Sequence, residues 1–403
     1  MLTPCLSSIL PPIFMFIHRK AATLVQHLAQ YYPVVAITGP RQSGKTTLVK
    51  SLYPHKPYIN LESLEQRAFA LEDPQGFLKQ YPEGAILDEV QHCPALLSDL
   101  QVRVDEKKQY GEFIITGSQQ FNLVAAISQS LAGRIGMVTL LPLSFAEQQA
   151  ASALPNTIGE LLYTGAYPAI YERGIPPRDW YSQYVMTYLE RDIRQLIRVH
   201  ELGTFQRFLR LCAARTGQLL NLSQLAMDAG ITHNTAKAWI NVLEASYIVF
   251  LLQPYHVNFG KRLIKSPKLY FYDTGLASWL LGIQDPSQIT LHPLRGNIFE
   301  TWVISELLKS RFNRGEVHPV YFWRDSQGHE IDLIIEKGAE LIPIEIKSGQ
   351  TINKDYFSNI ILWEKLTGKK SAAWLVYAGD VMQKRTIASV VGWKEMDKML
   401  EAV

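Results

Sequence analysis

The sequence predicts an α/β chain built on a doubly wound parallel sheet, and three observations carry that prediction. Short apolar runs recur between helical segments from residue 34 to 140: Val34-Val35-Ala36-Ile37, Tyr58-Ile59-Asn60-Leu61, Ala85-Ile86-Leu87 and Phe113-Ile114-Ile115. Most of their residues are aliphatic or aromatic and turn residues bound each run, as in buried parallel strands joined by helices. The first run leads into a glycine-bearing loop, Gly39-Pro40-Arg41-Gln42-Ser43-Gly44-Lys45-Thr46-Thr47, and the third ends in Asp88-Glu89. A doubly wound sheet binds its ligand at the carboxyl ends of its strands, where both features fall.

The loop fits G-x-x-x-x-G-K-[ST] between a strand and a helix, the setting that gives this motif its meaning. Its glycines let successive backbone N–H groups face inward as an anion nest, and the following helix presents its positive dipole end. Gly39, Pro40, Arg41, Gln42, Ser43, Gly44, Lys45, Thr46 and Thr47 are therefore the expected phosphate cradle of a nucleotide triphosphate. Lys45 reaches the β- and γ-phosphates, Thr46 offers its hydroxyl to Mg²⁺, and Thr47 is expected to pack. Asp88 is expected to hold Mg²⁺ through water, and Glu89 to polarise an attacking water. The fourth run ends in Thr116-Gly117-Ser118-Gln119, where Ser118, with Thr116 as its rival, is placed to sense the γ-phosphate. ATP and Mg²⁺ are the implied cofactors.

Composition sets the frame. The 403 residues exceed one ordinary core, and 47% hydrophobic with 19% charged residues exclude a disordered chain. A net charge of +3 does not mark a nucleic-acid binder by itself. Cys5, Cys93 and Cys212 are scattered, which indicates neither a zinc site nor a disulfide framework and fits a reduced, cytoplasmic setting. The apolar stretch Ser7–Ile17 is too short to span a bilayer, is broken by Pro11 and Pro12, and precedes its charges instead of following them. No membrane association is expected. Residues 1–17 are taken as a loosely ordered extension, with Met15 as an alternative start.

Residues 18–145 form the expected nucleotide domain and 146–202 a helical lid or linker, with Tyr181–Val199 its longest amphipathic stretch. Residues 203–285 suggest a winged-helix module. Ser223 and Thr232 are candidate helix caps, Gly230 makes the turn between the helices, and strands over Ile248–Leu252 and Leu269–Tyr272 complete the wing. The second helix of the pair, His233–Ala245, carries only Lys237 as a fixed cation, with Asn234 and Asn241 as polar candidates. Packing against the nucleotide domain therefore competes with major-groove reading as its role. Lys261, Arg262, Lys265 and Lys268 cluster in the wing, and Arg191, Arg194 and Arg198 share a helical face. Either set could meet phosphates or face solvent.

From 286 to 403 a third pattern appears. A helix over Gly296–Ser310 precedes strands Val320–Trp323, Glu330–Glu336 and Leu341–Lys347, the last two a hairpin through Lys337-Gly338; Ala373–Tyr377 is a further strand. Period-two geometry sets Glu345 and Lys347 on one strand face, while Ile342, Ile344 and Ile346 face the core. The hairpin brings Asp332 beside Glu345, and Glu300 on the preceding helix can join them. Clustered carboxylates suit a hard cation, and a lysine beside them suits phosphodiester hydrolysis. A plain hairpin with a Glu345–Lys347 pair is the competing reading.

With these elements in order, residues 16 onward resemble the AAA+ ATPases, and more closely the bacterial and archaeal ATPases that join an AAA_14 domain to a C-terminal DUF4143 domain. The matching strings are the loop itself, Leu87-Asp88-Glu89-Val90-Gln91, Thr116-Gly117-Ser118, Leu131-Ala132-Gly133-Arg134, Tyr188-Leu189-Glu190-Arg191-Asp192 and Phe271-Tyr272-Asp273-Thr274-Gly275-Leu276. The resemblance implies an ATPase. It makes Arg134 a candidate contact to nucleotide in cis or from a neighbouring subunit of a homo-oligomer, with an ordinary salt bridge as the competing reading. The C-terminal constellation resembles the PD-(D/E)xK, restriction-endonuclease-like fold, with Ile331 where that pattern has proline. That resemblance implies Glu300, Asp332 and Glu345 as metal holders and Lys347 as the catalytic lysine. Nucleic acid, DNA or RNA, is the partner implied for cleavage; a protein partner is implied if the domain is silent.

Overall fold

The computed structural model describes residues 16–118, 130–189, 202–255, 265–316, 319–338 and 340–403. The first sheet contains β1 (Val34–Gly39), β2 (Tyr58–Asn60), β3 (Ala85–Asp88), β4 (Phe113–Ser118) and β5 (Ile135–Thr139) in the order β2-β3-β4-β1-β5. Every pairing in it is parallel. Both faces are covered. Val34, Ala36, Leu87, Phe113 and Ile115 enter one core, and Val35, Ile37, Ile86, Ile114 and Val138 enter another beneath the helices Ala21–Leu28 and Lys45–Leu52. The near-continuous apolar character of β1, β3 and β4 follows from this two-sided burial. The expected α/β doubly wound sheet is present, and β5 adds an edge strand that the apolar runs did not disclose.

A second sheet has nine strands: β6 (Gln218–Leu219), β7 (Val249–Pro254), β8 (Lys268–Phe271), β9 (Val320–Arg324), β10 (Glu330–Lys337), β11 (Glu340–Lys347), β12 (Trp374–Tyr377), β13 (Gln383–Lys384) and β14 (Ser389–Gly392). Their order is β13-β14-β12-β11-β10-β9-β7-β8-β6. β7 pairs with β9 in parallel, Gln253 opposite Tyr321 and Pro254 opposite Phe322, so the strands after the helix pair and the C-terminal strands make one ladder. The expected hairpin is antiparallel β10–β11, with Leu333 opposite Ile344.

The helices Leu222–Ala229 and His233–Ala245 meet at Gly230, whose φ of +74° suits a residue without Cβ. Thr232 caps the second helix as expected, accepting from Thr235 N. The first is capped by Asn221, which accepts from Gln224 N, and not by Ser223: the helix starts one residue before Ser223, which puts that serine inside the first turn. The expected long helix from Tyr181 instead comprises Pro177–Tyr184 and a π-helical turn, Val185–Leu189; residues 190–201 lie outside the described residues.

The helix that opens the C-terminal region is longer than expected, Arg295–Arg314, and many of its side chains are buried. It packs against the helices Ala21–Leu28 and Thr274–Leu280 and against β11. Its Ile298, Phe299, Trp302 and Ile304 share one core with Leu141 and Phe145 from the end of the first sheet's segment. Two charge-assisted hydrogen bonds reinforce that seam: Phe145 N donates to Glu306 Oε2 at 2.6 Å, and Lys309 Nζ donates to Leu143 O at 3.1 Å while pairing with Glu306 Oε1 of its own helix at 2.8 Å.

Candidate active site

Strand β1 ends at Gly39, and the chain turns through Pro40–Gly44 into the helix Lys45–Leu52. Gly39 has φ +148°, and a Cβ there would stand 2.1 Å from Leu140 O, so the loop departs over neighbouring backbone that only glycine clears. Gln42 holds φ +63° without being glycine, a costly conformation that persists where surroundings enforce it. Lys45 is buried and folds back on the loop, donating to Gly39 O at 3.1 Å and Pro40 O at 2.8 Å. Its ammonium is thus held over the nest. Thr47, expected to pack, is exposed.

Thr46 and Asp88 come together as predicted. Thr46 Oγ1 donates to Asp88 Oδ2 at 3.0 Å, and Tyr58 OH donates to the same oxygen at 2.6 Å. Thr116 donates to Asp88 Oδ1. Burial, then the bond to Asp88, pushes the Tyr58 phenol well above its ordinary range, so it remains a donor at any working pH. A hydroxyl and a carboxylate converging on one point beside an anion nest are the oxygen donors Mg²⁺ takes, so the residues fit the ion.

Glu89 follows Asp88 with φ +59°, a left-handed conformation that re-aims the chain at the strand tip. Gln91 Nε2 donates to Glu89 Oε2 and lies 3.2 Å from Ser118 Oγ. Ser118 stands opposite Gly39 in the sheet register, at the mouth of the loop. The two rivals divide the work: Thr116 contacts the metal-type carboxylate Asp88, and Ser118 belongs to the Glu89–Gln91 pair. Gln91 lies within a matched string but carried no expected role.

Two further residues about the loop were not foreseen. Arg19 donates from Nη1 to Ser43 O and from Nη2 to Leu141 O, each at 2.6 Å, and pairs with Glu147 at 3.2 Å. Tyr188 lies on the outer side: Gln42 Nε2 donates to its hydroxyl at 2.9 Å, and the Arg41 guanidinium stands 5.8 Å from its ring centre while pairing with Glu62. No local spacing marks Arg19, whose partners lie 24 and 122 residues away in sequence.

Arg134 is not brought to the loop of its own chain. It precedes β5, where Val34 N bonds its carbonyl, at the amino ends of the strands. Five residue steps along β1 separate that end from Gly39, roughly 17 Å. Its guanidinium forms a two-pronged pair with Asp105, at 2.5 and 2.9 Å, and that bond holds the Asp105 carboxyl below its ordinary range.

In the C-terminal sheet, Asp332, Glu345 and Lys347 meet as predicted: Lys347 Nζ lies 3.3 Å from Asp332 Oδ2 and 2.5 Å from Glu345 Oε2. Ile346 N also donates to Asp332 Oδ2, at 2.7 Å. Burial and the neighbouring Asp332, partly offset by Lys347, raise Glu345 well above its ordinary value. Glu300 joins a different set. Its donor oxygen lies within 4.8 Å of those of Glu330 and Asp332, and Lys268 sits among them, 2.9 Å from Glu300 Oε1 and in contact with Glu330 Oε1. Glu330 was missed although it lies two residues before Asp332 on the same strand face.

Lys268, expected among wing cations that meet phosphate or solvent, is buried at 3% exposure, because carboxylates on a helix and a neighbouring strand compensate it. Of the predicted metal set, Glu300 and Asp332 come together with Glu330 as carboxylates whose spacing could hold a metal ion, with the Lys268 ammonium among them, while Glu345 pairs with Lys347. Lys265 is exposed, and Lys261, Arg262, Arg191, Arg194 and Arg198 lie outside the described residues.

A parallel sheet with this loop, lysine, hydroxyl and acidic strand tip has the P-loop ATPase fold. Residues 31–149 match the AAA_14 AAA domain, 156–287 the domain of unknown function DUF8612, and 295–396 the domain of unknown function DUF4143. The chain is 32% identical over 337 residues to the uncharacterized protein Rv2008c of Mycobacterium tuberculosis, covering 83% of this chain and 74% of that one. It matches the uncharacterized protein Mb2031c of Mycobacterium bovis to the same extent. The chain belongs to the family of these uncharacterized proteins, and it joins an AAA_14 AAA domain to a C-terminal DUF4143 domain. Among solved structures it is similar to the Walker-type ATPase PABY2304 of Pyrococcus abyssi, at 15% identity and TM-score 0.45, over 68% of this chain and 99% of that one. No described helix is long and apolar enough to cross a membrane.

Proposed function

We propose that the protein binds and hydrolyses ATP with Mg²⁺, and that the nucleotide state is passed from the loop to the helix pair and the nine-stranded sheet. The observation that carries the first clause is the convergence of Thr46 and Asp88 beneath the loop that holds Lys45. In this reading the loop N–H groups and the Lys45 ammonium bind the β- and γ-phosphates. A Mg²⁺ ion held by Thr46 and Asp88 neutralises phosphate charge when bound. Glu89 accepts a proton from the attacking water, and Gln91 and Ser118 fix its carboxylate relative to the terminal phosphate. Arg134, remote from its own loop, serves a neighbouring subunit, which makes the working form a homo-oligomer.

Support for the second clause comes from Tyr247, at the junction of the helix His233–Ala245 and β7. Its hydroxyl lies 3.3 Å from Thr38 Oγ1 and 3.2 Å from Thr139 Oγ1, and its φ is +55°. Thr38 immediately precedes Gly39, so a shift of the loop on binding phosphate reaches the helix pair through one side chain. The target in this reading is nucleic acid, met in the cytoplasm by a winged-helix module and a nuclease-like C-terminal domain.

A second reading has a specific observation in its favour. Lys268 holds the C-terminal carboxylates, which suits a silent domain that binds a protein partner under nucleotide control. ATP turnover with and without DNA and RNA, run beside a cleavage gel, separates the two. Turnover that responds to nucleic acid supports the first; indifference to it and no cleavage support the second. Lys45→Ala is expected to abolish ATP binding, and turnover equal to wild type in that variant would refute the loop as the nucleotide site.

A further inference from the structure

The C-terminal cluster is laid out like a cation site, and the cation it holds is part of the chain. A divalent ion sits about 2.0–2.6 Å from its oxygens. It would compete for the Glu300 and Glu330 oxygens that the Lys268 ammonium already contacts. We propose that Lys268 is the resident cation of the Glu300–Glu330–Asp332 cluster, and that the cluster fastens β8 to the helix Arg295–Arg314 and to β10 instead of holding a divalent metal. This role for Lys268 stands whether or not the chain hydrolyses ATP.

Each carboxylate is already supplied with donors from the protein. Glu300 Oε1 accepts from Tyr270 OH at 2.5 Å besides Lys268. Glu330 Oε2 accepts from Arg324 Nη1 at 2.9 Å. Asp332 Oδ2 accepts from Ile346 N and Lys347. A metal binding through these same oxygens would displace those donors. Three cations, Lys268, Lys347 and Arg324, face four carboxylates.

Nor can Lys268 leave easily. β8 is hydrogen-bonded along both edges, to β7 and to β6, so its backbone cannot withdraw without opening the sheet. An ammonium buried to 3% exposure is stable only beside its counter-charges, and carboxylates stripped of it carry an uncompensated buried charge. Residues that are far apart in sequence, 268, 300 and 330, are thereby locked at one point.

The test uses the full chain without nucleotide and Mn²⁺ as a paramagnetic stand-in for Mg²⁺. Free Mn²⁺ is followed by electron paramagnetic resonance in wild type and in Glu330→Gln, with equal uptake expected. A bound component present in wild type and lost in Glu330→Gln overturns the proposal. Lys268→Met is expected to lower the melting temperature by roughly 5 °C or more. Adding Glu300→Gln should recover part of that loss, because one unpaired carboxylate disappears with the ammonium. Melting unchanged in Lys268→Met also overturns the proposal. Should Lys268→Met yield no folded protein, the Mn²⁺ comparison with Glu330→Gln still decides.

Discussion

Replacing Arg19 by alanine tests how the phosphate loop is held. The Arg19 side chain is 6% exposed and that of Glu147 is fully buried, so the pair is screened from water. Removing the guanidinium strands the Glu147 carboxylate and frees the carbonyls of Ser43 and Leu141, two segments that Arg19 ties together. Breaking one side of a buried ion pair costs about 3–5 kcal/mol. Glu147 keeps bonds from Lys20 N and Ser144 N, which places the expected loss at the lower end, about 3 kcal/mol. Because Ser43 lies inside the nest, the loop loosens as well, and ATP affinity is expected to fall about tenfold, or about 1.4 kcal/mol. Urea unfolding followed by fluorescence measures the first quantity, and titration with a fluorescent ATP analogue measures the second. Arg19→Lys should recover part of the stability by restoring charge near Glu147, but not the affinity, since one ammonium cannot reach both carbonyls. A loss under 1 kcal/mol with unchanged ATP affinity in Arg19→Ala would refute the reasoning.

Tyr247→Phe removes one hydroxyl shared by Thr38 and Thr139. It should cost about 1 kcal/mol and abolish any effect of ATP on proteolysis of the helix pair while leaving ATP binding intact; retained ATP-dependent protection would count against Tyr247 as the relay. Burial, partly offset by Lys268, raises Glu300 to about 7 from an ordinary 4.5. The folded chain therefore holds a proton that the unfolded chain has lost between these values, and this contribution to stability is greatest at low pH and is lost as pH rises toward 7. Glu300→Gln should flatten the pH dependence of the urea midpoint between pH 5 and 8, and identical slopes in the two proteins would rule this out. Arg134→Ala should leave ATP binding unchanged and remove any rise of turnover per chain with protein concentration; wild-type turnover that is independent of concentration speaks against a role across subunits.

The elements legible in the sequence are those whose causes are local. Runs such as Val34–Ile37 and Phe113–Ile115 are continuous because both sheet faces are covered, and the loop is legible because phosphate geometry dictates its glycines and lysine. β5 was hidden because Ile135-Gly136-Met137-Val138-Thr139 sits at an edge, where Met137 is 45% exposed and Gly136 allows the close approach of Leu28 and Tyr32. Asp332 beside Glu345 followed from hairpin register, a short-range rule. Lys268 was misjudged for the opposite reason: it closes a basic stretch of sequence in which Lys265 is exposed, and its partners Glu300 and Glu330 become neighbours only once the sheet has formed. Arg19 shares that long-range character, so pattern reading had no means of pairing it with Ser43 or Leu141.

The two-residue seam between β7 and β9 has a practical consequence for anyone dissecting this protein. A fragment cut between the helix-pair region and the C-terminal region would bare a raw strand margin on each half, with backbone donors and acceptors ready to recruit a stranger's chain. Insoluble halves from such a cut would report torn fabric, and would say nothing about whether either half works.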